Sequence, residues 1–84
     1  MIGVNTEKVV RLSLECLHDD GCVVAFEPEG AVHKLPRGEE YVVLIQGAGS
    51  GEVGVSYDGD GLTIWAWEGA STAVTDGAGR TIPT

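Results

Sequence analysis

The sequence predicts an all-β fold, a small antiparallel sandwich or barrel of about seven or eight short strands. Apolar and polar residues alternate in several segments, which is the pattern of half-buried strands. These segments recur about every 8–12 residues, and turn signals rich in Gly and Asp separate them. With 84 residues, of which 13 are glycine, the chain has the size of one domain, residues 1–84.

The first predicted strand covers residues 8–17. Its apolar face contains Val10, Leu12, Leu14 and Cys16. A helix over residues 6–17 is the alternative, because Val10, Leu14 and Leu17 also have helical spacing and Gly21 stands where such a helix could end. The strict alternation favours the strand.

Four strands follow the Asp-Gly turn at residues 18–21, which is a strong hairpin signal. Their predicted ranges are 22–27, 31–35, 41–46 and 52–57. The range 41–46 is apolar at nearly every position, so we expect it to be the most buried, central strand.

The next predicted strand, residues 62–67, contains both tryptophans. Its pleat would place Leu62, Ile64 and Ala66 on one face, and Thr63, Trp65 and Trp67 on the other. Both faces are largely apolar, so the tryptophan face needs cover from the core, from a second copy of the chain, or from a ligand or another protein. Shorter strands are expected at 72–75 and 80–82.

The charge balance limits the kinds of partner. The chain carries 13 Asp and Glu against 5 Lys and Arg, for a net charge of −8. Binding to nucleic acid and to anionic membranes depends on clustered basic residues, so we expect neither partner. No signal peptide and no apolar run of about 20 residues is found, and a cytoplasmic location is expected.

Metal and catalytic motifs are weak. A reducing compartment would keep Cys16 and Cys22 as buried free thiols; a zinc site with His18 and His33, or a disulfide in an oxidising compartment, are the alternatives. The glycine-rich loop at 47–51 precedes a strand instead of a phosphate-binding helix. We find no catalytic motif, and we predict neither an enzyme, nor a cofactor, nor a metal site.

Strands that alternate in direction would bring the turns at 18–21, 36–40 and 58–61 to one end of the domain. Their acidic residues are Asp19, Asp20, Glu39, Glu40, Asp58 and Asp60. Such an end could attract a basic partner by electrostatic steering, although Asp and Glu are also simply common in turns.

The candidate binding residues are therefore these six acids together with Trp65, Trp67 and Tyr57. The leading hypothesis is a small, acidic, non-enzymatic protein-binding module, such as an inhibitor, an immunity-type protein or an adaptor, with a basic protein partner. The alternatives are a carbohydrate or small-ligand module that uses Trp65 and Trp67, and a homo-oligomeric structural subunit.

Overall fold

The computed structural model describes residues 7–84, which form eight strands and no helix. The strands are β1 (Glu7–Glu15), β2 (Cys22–Glu27), β3 (Ala31–Leu35), β4 (Glu40–Ala48), β5 (Gly54–Tyr57), β6 (Leu62–Trp65), β7 (Ala70–Thr75) and β8 (Thr81–Ile82). The all-β prediction is confirmed. The helical alternative for 6–17 is wrong over its described part, because residues 7–15 pair with β4 along their whole length.

The strands form two four-stranded sheets, so the fold is a sandwich. The first sheet has the order β1-β4-β7-β8, and the second has the order β3-β2-β6-β5. Five of the six strand pairings are antiparallel, as predicted, and the pairing of β2 with β6 is parallel. This parallel pair arises because β2 and β6 begin at the same end of the domain, with Val24 level with Leu62.

The core lies between the inner faces of the two sheets. In the first sheet, the predicted face of β1 is confirmed, since Leu12 lies in one cross-strand row with Val43 and Val74. In the second sheet, Phe26 lies beside Ile64. Alternate residues of the central strands β2, β4 and β6 thus enter the apolar layer, which is the periodicity that the sequence showed.

β4 has the central position that the sequence predicts, between β1 and β7. Its inner residues Tyr41, Val43 and Ile45 are buried. Its outer residues Val42 and Leu44 are only half-buried, because the outer face of this sheet faces solvent. The apolar residues on both faces of β4 therefore indicated its central position in the sheet. They did not indicate that both of its faces are covered.

β6 ends at Trp65, two residues earlier than predicted. Ala66 still donates its N–H to the carbonyl of Glu27 at 2.9 Å, and the chain then crosses to the first sheet. A turn follows in which the N–H of Ala70 donates to the carbonyl of Trp67, and Gly69 adopts a φ of 93° that favours glycine. The predicted pleat thus stops between the two tryptophans, and they do not share a face.

Candidate binding groove

Strand direction brings the acidic turns to one end of the domain. β2 and β6 begin at this end, and β4 begins there too, because Glu40 is opposite the last residue of β1, Glu15. We call this end, formed by residues 15–21, 36–40, 58–61 and 76–80, the acidic end. The sequence analysis predicted that the first three of these turns lie together. The pairing of Val42 with Thr75 places the turn at 76–80 at the same end.

Several of the acids at this end already have partners. Asp19 forms an ion pair with Arg37. The Oδ1 atom of Asp58 accepts the backbone N–H groups of Asp60 and Gly61 at 3.0 and 3.2 Å. Among residues 7–84 only one other ion pair is present, between Asp76 and Arg80, so the carboxylates of Asp20, Glu39, Glu40 and Asp60 remain solvated charges.

Asp76 holds the 76–80 turn together. Its Oδ1 accepts the N–H groups of Ala78 and Arg80, both at 2.9 Å, and its Oδ2 accepts from the guanidinium of Arg80 at 2.9 Å. The pKa of Asp76 lies below its ordinary value of 3.8, mainly because the backbone N–H of Arg80 stabilises the ionised form; the Ala78 N–H and the Arg80 side chain add to this effect. The role of this carboxylate is structural.

Glu15 and Glu40 lie directly opposite each other in the β1–β4 pairing, and both are exposed. Directly opposed residues of an antiparallel pair have Cβ atoms about 5 Å apart, and like charges there are destabilising. No basic residue stands between them in the register, whose neighbouring pairs are Leu14 with Tyr41 and Ser13 with Val42. The pair therefore makes a place where an external positive charge would be favourable.

A groove of about 550 Å³ opens beside this pair. It lies between the end of β1 on one side and the hairpin of β5 and β6 on the other. Its apolar lining comes from Leu14, Cys22, Val24, Leu35 and Leu62. Its rim carries Glu15, His18, Asp20, Lys34, Tyr57 and Asp60. Three carboxylates and one lysine thus surround an apolar floor, which gives the rim a negative balance.

The turn that forms one wall of the groove is held by a disulfide. Cys16 and Cys22 are bonded across a sequence separation of six, with their Cα atoms 5.7 Å apart. The expectation of two free thiols is wrong, because the end of β1 and the start of β2 bring the two sulfurs together. Because both sulfurs are in the disulfide, neither is a free thiolate that could bind a metal ion. Residues 7–84 contain no group of three or more His, Cys, Asp and Glu side chains placed for a metal ion.

The two histidines have other contacts. The Nδ1 atom of His18 accepts the N–H of Asp20 at 3.1 Å, within the turn that the disulfide closes. The Nε2 atom of His33 lies against the carbonyl of Pro83, near the far edge of the sandwich. They are in different parts of the domain and do not form a shared site with the cysteines.

The aromatic residues separate into three environments. Tyr57 is 75% exposed on the rim of the groove. Trp65 is 49% exposed on the outer face of the second sheet, where its Nε1 lies 3.4 Å from the hydroxyl of Ser56. Trp67 is only 7% exposed, and its Nε1 donates to the carbonyl of Ala48 at 3.1 Å.

Trp67 therefore belongs to the core, and the prediction that it shares a binding face with Trp65 is wrong. Of the nine candidate residues, the groove brings together Tyr57, Asp20 and Asp60. Asp19, Asp58, Glu39 and Glu40 lie at the same end outside the groove lining. Sequence reasoning missed Glu15 and Lys34; the register of β1 against β4 would have indicated Glu15 by its position opposite Glu40.

Comparisons with protein-family models, with curated proteins and with solved structures found no match to this chain. Within residues 7–84, no helix is long and apolar enough to cross a membrane.

Proposed function

We propose that this protein is a non-enzymatic binding module that takes a basic segment of another protein into the groove at its acidic end. The observation that carries the proposal is the groove itself, about 550 Å³ in volume, with an apolar floor and a rim that carries Glu15, Asp20 and Asp60. Inhibitors, immunity-type proteins and adaptors all fall within this class.

The groove offers two complementary contributions to binding. Its apolar floor gains from covering Leu14 and Leu62, which are only half-buried, since burial of apolar surface contributes about 25 cal/mol for each Å². The carboxylates on its rim attract Lys and Arg and disfavour acidic partners. The net charge of −8 adds long-range steering of a basic partner toward this end.

Exposed Tyr57 supports the same location. Tyrosine is enriched at the centres of protein interfaces, because its ring offers apolar area and its hydroxyl a hydrogen-bonding group. At 75% exposure it has most of that area available to a partner. Of the three aromatic residues in the sequence-based hypothesis, Tyr57 is the one that lines the groove together with Asp20 and Asp60.

The two alternative functions have weaker support. The carbohydrate module depended on Trp65 and Trp67 lying side by side, and Trp67 is buried.

The homo-oligomeric subunit rests on exposed apolar residues such as Val32 and Trp65 on the outer face of the second sheet. Sedimentation of the isolated chain tests this second alternative, and a mass above the 8.8 kDa monomer would support it.

Selection of a displayed random-peptide library against the immobilised protein tests the proposed function. We expect enrichment of peptides that combine Lys or Arg with apolar residues, and binding that weakens as salt is raised above about 0.15 M. Enrichment of acidic or uncharged peptides would contradict the proposal.

Charge variants then locate the site. The double variant Asp20→Asn/Asp60→Asn should weaken binding of the selected peptides by about tenfold or more. The matched control Glu29→Gln/Glu68→Gln removes the same charge at the opposite end and should leave affinity nearly unchanged. Equal losses in both variants would show that net charge alone matters and that the groove is not the site.

A further inference from the structure

The inner face of the second sheet extends beyond the cover that the first sheet provides. Val55 lies opposite Ile64, and Tyr57 lies opposite Leu62, so all four side chains share the inner face. Ile64 is buried, whereas Val55 is 58% and Tyr57 is 75% exposed. The inward-facing side chains of β5 are therefore left largely exposed by the strands of residues 7–84.

Among the described strands, none lies beyond β1 in the first sheet to cover these side chains. β1 is an edge strand of nine residues, since among the described strands it pairs only with β4. An edge strand presents a row of backbone N–H and C=O groups that can pair with another chain. The outer edge of β1 is thus available for pairing, and it lies on the same side of the sandwich as the exposed side chains of β5.

The free edge of β1 and the exposed inner face of β5 both border the groove. At the opposite end, the loop into β5 touches β1, because a Cβ atom on Gly51 would be only 2.6 Å from Cδ of Lys8. At the acidic end, Leu14 of β1 and Leu62 of β6 line opposite sides of the groove. The space between β1 and the β5–β6 hairpin is therefore closed at one end and open at the acidic end.

We propose that the partner segment binds as an extended strand that pairs with the free edge of β1 and enters from the acidic end. This inference rests on the proposed function and names the form of its ligand. Alternate side chains of such a strand would cover Val55 and Tyr57. Basic side chains near the entrance would lie beside Glu15, whose carboxylate is already opposed by that of Glu40 on the next strand, and near Asp60. Strand addition of this kind derives affinity from main-chain hydrogen bonds and selectivity from the pockets for alternate side chains.

The probe for this proposal is a capped peptide of alternating lysine and valine, seven residues long. Two matched peptides accompany it: one with glutamate in place of lysine, and one of the original sequence with alternate backbone amides N-methylated. N-methylation leaves the side chains and charges unchanged and removes donors from one edge of the strand. We expect the N-methylated peptide to bind about tenfold or more weakly than the parent, since several hydrogen bonds are lost.

Amide hydrogen exchange followed by NMR locates the bound peptide. Saturating lysine–valine peptide should slow exchange of β1 amides that are exposed in the free protein. Tyr57→Ser should weaken binding, while Trp65→Ser, which changes a half-exposed aromatic on the outer face, should not. Protection confined to other strands, or equal binding of the N-methylated peptide, would overturn strand addition at β1.

The same titrations separate this proposal from the function on which it rests. If both lysine peptides bind equally well and both respond to Asp20→Asn/Asp60→Asn, the groove is a basic-peptide site without strand addition. If neither lysine peptide binds better than the glutamate peptide, both proposals fail. A dimer of the free protein with protected β1 amides would show that a second copy occupies the edge, and would also overturn the inference.

Discussion

Glu15 of β1 lies directly opposite Glu40 of β4, and the two exposed carboxylates share the outer face of the first sheet at the acidic end. An opposite-charge pair at these two positions would have stabilised the strand ends. The like-charge pair instead costs stability at the border of the groove. Local choices that conflict with stability are expected where function requires them.

Replacing one member of this pair should raise stability. We expect Glu40→Gln to increase the free energy of unfolding by about 0.2–1 kcal/mol, because it removes the repulsion with Glu15. Urea unfolding at low salt measures the change. The control is Glu7→Gln, which lowers the charge equally but lies opposite Ala48, and its effect should be near zero. Equal effects of the two variants would mean that only net charge matters.

Trp67 should contribute far more to stability than Trp65. Trp67→Phe replaces the buried indole with a smaller phenyl ring and removes the Nε1 donor to the Ala48 carbonyl, and should cost about 1–3 kcal/mol. Trp65→Phe changes a half-exposed residue and should cost about 0.5 kcal/mol or less. Urea unfolding followed by circular dichroism compares the two variants without depending on tryptophan emission. Similar losses in both would contradict the assignment of Trp67 to the core.

The tryptophans also show what sequence periodicity can predict. Alternation identified the inner face of β1, and the apolar run over both faces identified the central place of β4, because both patterns are local properties of a strand. It could not predict that β6 ends at Trp65. That end depends on the crossing to the first sheet, which is fixed by the pairing of β7 with β4 and by the hydrogen bond of Ala66 to Glu27.

The groove, like the end of β6, could be predicted from the sequence only in part. The meeting of the acidic turns followed from alternating strand directions, which the chain order alone implies. The open space beside Tyr57 depends on how far one sheet extends past the other, and no local pattern encodes that offset. The parallel pairing of β2 with β6 likewise requires knowledge of which strands become neighbours.

The disulfide should stabilise the fold measurably. Closing the short loop between Cys16 and Cys22 is worth about 2 kcal/mol in the chain-entropy model. We expect reductant to lower the free energy of unfolding by that amount, and Cys16→Ala/Cys22→Ala to be insensitive to reductant. An equal response of this variant would show that the reductant acts elsewhere.

Thiol counting in protein isolated from its native cells addresses the redox compartment. Disulfides are rare in the reducing cytosol, so this bond and the cytoplasmic location predicted from the sequence point in opposite directions. Two free thiols in freshly isolated protein would favour the cytoplasmic prediction, and none would favour an oxidising compartment.

Asp76 should make the fold sensitive to acid. Its pKa is lowered below 3.8 in the folded state, so the folded protein binds fewer protons at this site than the unfolded chain. Its contribution to stability is therefore fully present above the unfolded pKa and is lost as the pH falls below 3.8 through the folded pKa. NMR titration of the side-chain carboxyl carbon measures the folded pKa directly, and urea midpoints in the same acid range measure the consequence.

Two variants separate the causes of this pKa shift. Arg80→Gln removes the guanidinium but keeps the backbone N–H of residue 80, which is the largest cause, so most of the depression of the Asp76 pKa should remain. Asp76→Asn removes the titrating group, and the urea midpoint of this variant should fall less steeply with acid than that of the wild type. Return of the Asp76 pKa to 3.8 in Arg80→Gln would show instead that the ion pair, and not the backbone donors of the turn, stabilises the carboxylate.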